Sequence, residues 1–152
     1  MDELILKAAE AVKKSKNMIA LTGAGVSVES GIPDFRSAGG LWEKYDPAIY
    51  ASIDTFRLQP ERCWDMIFDM LDLTDSAKPN PAHTALAELE EMGYLKAIIT
   101  QNIDNLHQRG GSKNVIEYHG NSIRLVCLKC KSECSMDEYD KSGRVPPKCK
   151  EC

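Results

Sequence analysis

The sequence predicts an α/β fold, a parallel sheet with helices over residues 1–120, followed by a small metal-stapled ribbon. Three observations carry this. Helical and strand-like stretches alternate through residue 118, the pattern of a layered fold with a parallel sheet. The two best strand candidates run straight into polar sequence at their carboxyl ends. Four cysteines then fall as two C-x-x-C pairs between residues 127 and 152.

Residues 3–15 place Leu4, Ala8, Ala11 and Val12 along one stripe, with Lys and Glu elsewhere, which predicts an amphipathic helix. Met18-Ile-Ala-Leu21 is a short apolar run into Thr22-Gly-Ala-Gly25, a buried parallel strand ending in a glycine turn. Gly31, Pro33, Gly39 and Gly40 make residues 31–40 a loop. Pro60 opens a helix that the pattern carries through Leu71. Asn80-Pro81 starts the next one, with Gly93 as its stop. Leu95–Thr100 is the second strong strand, and Val115–Tyr118 a shorter one leading to His119-Gly120. From residue 121 short β-prone pieces are broken by Cys, Lys, Gly and Pro146-Pro147.

With 152 residues the chain has room for one domain plus a small module. A net charge of −4 argues against a broad electrostatic grip on nucleic acid or an anionic membrane. No apolar run approaches the ~20 residues of a membrane-spanning helix. The charged start MDELILKAAEAVKKSK lacks the apolar core of a signal peptide, so the protein reads as cytoplasmic. In that reducing compartment, six cysteines point to metal rather than disulfides. Cys127, Cys130, Cys149 and Cys152 have the spacing of tetrahedral zinc, and four thiolates leave no open position, so the metal is expected to be structural. A thioredoxin-like redox pair would need one C-x-x-C at a helix start. Cys134 either competes for the metal or is simply exposed, and Cys63, beside Trp64, is expected buried and inert.

In an α/β sheet, ligands bind beyond the carboxyl ends of the strands. The turn at Gly23–Gly25 brings backbone N–H groups close to whatever sits there. It lacks the third glycine of a G-x-G-x-x-G fingerprint, since Val28 stands in that place, and taken alone it suits a plain strand-to-helix connection equally well.

Longer stretches are more specific. GAGVSVESGIPDFRSAGGLW (23–42), TQNIDNLHQRGG (100–111) and YHGN (118–121), in that order and followed by the cysteine pairs, resemble the sirtuin family over essentially the whole chain. The resemblance implies a Rossmann-like NAD-binding portion over 1–44 and 76–120, a helical insert over 45–75 and a zinc ribbon over 121–152. It implies NAD and structural zinc as cofactors, and an acylated-lysine protein or peptide as substrate. Gly23, Ala24 and Gly25 would carry the pyrophosphate, with Ser27 and Glu29 nearby. Asp34, Phe35 and Arg36, in the motif that Trp42 closes, would cover the nicotinamide half. The guanidinium suits phosphate and the aromatic ring can shield a reactive sugar cation. Gln101, Asn102, Ile103 and Asp104 would bind the nicotinamide ribose and carboxamide, although Asp104 also suits a helix cap.

His119 is the expected general base, since imidazole exchanges protons near neutral pH. By the family pattern an acyl-lysine oxygen displaces nicotinamide, and His119 then deprotonates a ribose hydroxyl that takes over the acyl group. His83 is expected to pack or cap a helix, and His107 to support its loop by hydrogen bonds. Ile67 and Met70 fall where some sirtuins carry a Tyr and an Arg for acidic acyl groups. They imply acetyl or longer apolar acyl groups rather than succinyl, unless this helix only packs the core. Gly110, where the family more often has Ala, is expected to loosen its turn.

The family continues past the zinc module, so the chain reads as incomplete (a partial or cleaved protein first, otherwise one completed by a separate C-terminal segment or a gene fragment) and by itself weak in NAD binding and turnover. Two other functions remain in view at this point: mono-ADP-ribosyl transfer, and a non-catalytic zinc-ribbon interaction fragment.

Overall fold

The structure is a computed structural model and describes residues 2–152. In chain order its first elements are α1 (Asp2–Lys14), β1 (Met18–Thr22), a 3₁₀ helix (Ala24–Ser30), α2 (Leu41–Lys44), α3 (Pro47–Tyr50), α4 (Ile53–Leu58) and α5 (Pro60–Ser76). Then come α6 (Pro81–Glu91), β2 (Leu95–Thr100), α7 (Leu106–Arg109), β3 (Val115–Glu117), β4 (Arg124–Val126), β5 (Glu133–Ser135) and a 3₁₀ turn (Met136–Glu138). The expected α/β class is what the chain adopts. It separates into two compact units, one of the residues up to Ser30 with Lys78–Gly120, the other of Gly31–Ala77 with Asn121–Cys152.

The first unit holds a three-stranded parallel sheet in the order β1-β2-β3. Thr22 pairs with Thr100, and Thr100 with Glu117, so the three strands end level with one another. The segments that follow them therefore leave one edge of the sheet side by side. β2 is the buried centre, with Leu95 and Ile98 out of solvent and Leu106 of α7 in the same core. Pro81 occupies the first turn of α6, where its missing N–H costs nothing, and the Asn80 carboxamide accepts from Ala82 N at 2.9 Å. Gly93, at φ +80°, takes the left-handed position that ends this helix. α1 forms as expected, with Glu3–Lys7 and Glu10–Lys14 pairs one turn apart, but it buries none of its residues.

The second unit packs α5 against the ribbon. Trp64, Phe68 and Leu71 enclose Met136, which is 2% exposed, with Leu125 of β4 at the margin. Leu41 and Tyr45 pack on Met66, which draws residues 31–44 into this unit. The antiparallel β4–β5 pair matches the expected β-prone pieces.

α5 runs five residues past the expected end at Leu71, to Ser76. The extension carries Asp72 and Asp75, which with Asp69 form a stripe that binds the ribbon: Asp69 and Asp72 hold Arg144, and Asp75 holds Lys141 at 2.9 Å. Such exposed pairs contribute ~0–1 kcal/mol each, against ~1.5–3 kcal/mol for one fully buried Met, so the apolar contact dominates.

Asp69 also accepts from Lys44 and Tyr45, and those bonds, Lys44 first, lower its carboxyl from 3.8 to about 2. An acid stronger in the native state adds stability that is full above its unfolded value. Urea midpoints should therefore fall as pH drops from 3.8 through about 2, and Asp69→Asn should flatten that limb. An unchanged pH profile in the variant would contradict the assignment.

Candidate functional site

The glycine turn leaves β1 at Thr22. A Cβ built on Gly23 or Gly25 would meet no protein atom within 4 Å, so packing inside the chain does not demand glycine at either place. What glycine does supply there is bare backbone that a bound group can approach closely. Ala24 opens the 3₁₀ helix, whose start is pinned by Val26 N donating to Gly23 O at 3.1 Å.

Ser27 lies in that helix and is 0% exposed. Its hydroxyl donates to Asp104 Oδ2 at 2.7 Å and accepts from Asn102 Nδ2 at 3.1 Å. Asn102 Nδ2 also donates to Gly23 O at 3.1 Å, and Asn102 N to Thr100 Oγ1 at 3.0 Å. The other Asp104 oxygen accepts from Leu106 N at 2.9 Å, so Asp104, one residue before the N-cap Asn105, both fixes the start of α7 and ties down the glycine turn. Ser27, Asn102 and Asp104 thus lock the segment after β1 to the segment after β2. Asn105 takes φ +59°, a left-handed conformation that Asn tolerates better than most residues. Ile103 is half-buried, and Glu29 and Gln101 are exposed.

Gln101 N donates to Thr22 O at 3.0 Å, while Gln101 O meets His119 Nδ1 at 3.1 Å. A carbonyl oxygen only accepts, so Nδ1 is the donor in this contact and Nε2 is the nitrogen left to take up or release a proton. His119 is exposed, beside Tyr118 at 5.2 Å between ring centroids.

The 34–42 segment lies in the second unit. The Asp34 carboxylate accepts from Arg36 N, Ser37 N and Ser37 Oγ, and these bonds, that of the Ser37 hydroxyl first, hold it below the usual carboxylate range. Phe35 and Trp42 lie with ring centroids 5.0 Å apart, and Arg36 is exposed. The loop closes through Leu41 N to Asp34 O and Trp42 N to Phe35 O, both at 3.0 Å. A Cβ on Gly40 would stand 2.7 Å from both Asp34 O and Ser37 O. Gly40→Ala should therefore cost about 1–3 kcal/mol, as overpacking does. A thermal melt checks it; an unshifted midpoint would mean the loop yields freely.

Ile67 and Met70 are both half-buried, Ile67 against the Trp64–Met136 cluster and Met70 against Leu41, Tyr45 and Met66.

The metal centre also belongs to the second unit. The sulfurs of Cys127, Cys130, Cys149 and Cys152 all lie within 4.8 Å of one another, with Cys127–Cys152 at 3.7 Å and Cys130–Cys149 at 3.6 Å. A regular tetrahedron with Zn–S bonds of about 2.3 Å has sulfur edges of about 3.8 Å, so the four residues fit structural zinc. Lys131, at φ +64°, turns the first knuckle so that its N–H reaches Cys127 O at 3.1 Å. Four thiols this close cannot all ionise without a cation. The Ser132 hydroxyl, the largest influence, helps lower Cys149 to about 6, while Cys130 leads the neighbours that push Cys152 up to about 12. Cys134 is half-buried against the Tyr139 hydroxyl at 3.6 Å, outside the cluster, and Cys63 is buried as expected.

Sequence reading missed two residues. Asn80, recognised as a helix start, also donates to Val26 O at 2.8 Å and Ser30 Oγ at 3.0 Å, bracing the 3₁₀ helix. Thr22 meets His107 Nε2 at 2.8 Å through its hydroxyl. The N-cap pattern pointed to Asn80; nothing local points to Thr22. Gly110 has a packing reason to be glycine. Its missing Cβ would sit 3.0 Å from His83 Cβ and from Leu106 O, so glycine permits tight packing there.

Among the described residues no helix is long and apolar enough to cross a membrane. The sequence profile described as the Sir2 family matches residues 23–152. An NAD-dependent protein deacylase of Archaeoglobus fulgidus is 49% identical over 154 residues, taking in 100% of this chain and 60% of that protein. A solved complex of a Sir2 homolog with NAD superposes with a TM-score of 0.85 at 44% identity, covering 100% of this chain and 58% of that one. A Sir2 structure with a deacetylated p53 peptide and 3′-O-acetyl ADP ribose gives 0.87 at 40% identity, over 97% of this chain and 61% of that one. The chain thus spans between 58% and 61% of the length of these three proteins. With a profile match over most of its residues and close to half of them identical to a curated relative, the chain belongs to the Sir2 family.

Proposed function

We propose that this chain supplies the dinucleotide-facing strand ends, the general base and the zinc module of an NAD-dependent protein-lysine deacylase. The carrying observation is the His119 ring, whose Nδ1 donates to Gln101 O and leaves Nε2 as the free nitrogen, on the segment after β3 that leaves the same sheet edge as the 101–105 segment after β2 and, beyond it, the glycine turn after β1. Bound NAD supplies an anomeric carbon from which nicotinamide departs on attack by an acyl-lysine oxygen.

The chain's own residues prepare that site. The Gly23, Ala24 and Gly25 backbone receives the phosphates. Asn102 and Asp104, through Ser27, hold the turn and the 101–105 loop in one register. His119 Nε2 accepts the proton of the sugar hydroxyl that takes over the acyl group. Asp34, Phe35, Arg36 and Trp42 form the loop assigned to the nicotinamide half. The four thiolates at one metal centre suit a reducing, cytoplasmic setting. The names of the curated relative and of the peptide complex support acylated lysine as substrate.

The test is a full-length protein carrying this chain, given NAD and an acetyl-lysine peptide. Nicotinamide, acyl-ADP-ribose and the deacylated peptide should appear in equal amounts. Nicotinamide release without peptide, or sugar transfer to a protein side chain, would overturn the reading in favour of ADP-ribosyl transfer.

A further inference from the structure

His83 and His107 are both almost fully enclosed, at 0% and 1% exposure, with ring centroids 4.9 Å apart. A Cβ on Gly110 would stand 3.0 Å from His83 Cβ, so glycine leaves the room in which His83 packs against the turn following α7. Two hydrogen bonds constrain their protons. Asn80 N–H donates to His83 Nδ1 at 3.3 Å. A backbone N–H can only donate, so His83 is neutral and carries its proton on Nε2. His107 Nε2 lies 2.8 Å from Thr22 Oγ1. Among the described residues, neither His83 Nε2 nor His107 Nδ1 has a partner.

A buried donor left unpaired is costly, so the tautomers are not independent. With the His107 proton on Nε2, its Nδ1 is an acceptor within the same ring pair as the His83 Nε2–H donor. One bridging water would then satisfy both. With the proton on Nδ1, the two rings present two donors to each other. Ser112 Oγ, also buried without a protein partner and two residues past Gly110, is the acceptor this opposite arrangement would need. Asp104 acts electrostatically on both rings.

We propose that His83 is a positioning residue for the glycine turn: locked by the Asn80 N–H, it holds His107 as an Nε2–H donor that fixes the Thr22 hydroxyl at the tip of β1. The functional meaning rests on the reading above, in which that turn carries the phosphates, but the experiment below needs no cofactor and can fail separately.

The chain has three histidines, so long-range ¹H–¹⁵N spectra of the ¹⁵N-labelled protein at neutral pH are assigned with single variants. His83 and His107 should both appear as neutral Nε2–H tautomers. Thr22→Val should shift the His107 Nε2 resonance and leave His83 unchanged. His83→Leu should turn His107 into a mixture of tautomers and lower the amide-exchange protection of Gly23 to Val26 by about tenfold, the scale of one hydrogen bond. His83→Gln, which returns an N–H near the Nε2 position, should restore both. A His107 Nδ1–H tautomer in the unaltered protein overturns the proposal, as does a His83→Leu protein in which tautomer and protection persist. If His83→Leu does not fold, the unaltered spectrum and His83→Gln still decide.

Discussion

Chelating the metal at Cys127, Cys130, Cys149 and Cys152 should unfold residues 121–152 and loosen α5 with them. Metal free energy at such sites is folding free energy, with apparent values of ~10–16 kcal/mol in zinc-finger peptides. The ribbon has little else to hold it: two three-residue strands and one well-buried apolar side chain, Met136. Met136 nevertheless sits among Trp64, Phe68 and Leu71, so the loss reaches the helix. Trp64 is the reporter, and in a Trp42→Phe background its emission should move to the red as zinc leaves. Cys130→Ser should reproduce the effect without chelator. Complete zinc release with unchanged emission and far-ultraviolet dichroism would mean the apolar contact alone sustains the ribbon.

His119→Ala, in a full-length protein carrying this chain, should lower peptide deacylation by ~10²–10⁴-fold, the usual contribution of a positioned base. NAD affinity should change little, because the bond lost is the one from the ring to Gln101 O, whose N–H stays paired with Thr22 O. Nicotinamide exchange, which precedes the proton transfer assigned to His119, should fall less than deacylation. A loss under about tenfold would show that another group takes the proton and would remove His119 from the catalytic role.

How much of this could be read in the chain follows from distance along it. The glycine turn, the strand at Leu95–Thr100, the Asn80-Pro81 helix start and the paired cysteines are local patterns, each set by residues a few positions apart. Asp104 was legible only in part. Its capping of Leu106 is local, but its bond to Ser27 spans 77 positions. α5 was read too short because the stripe of Asp69, Asp72 and Asp75 gains its meaning from Arg144 and Lys141, over 60 residues away. α1 was read correctly as amphipathic, yet whether such a face is covered depends on what packs there, and here it is not.

The amino-acid order by itself determined the α/β class, the metal ligands and the family motifs, because backbone propensity, turn chemistry and thiol spacing act over a few residues. Only the tertiary structure decided that Ser27 is wholly enclosed, that His119 Nδ1 donates to Gln101 O, and that His83 and His107 share one buried pocket. Each of these depends on which donor meets which acceptor across the sheet. Parallel strands bring such groups together only after long crossovers, whose endpoints no local pattern encodes.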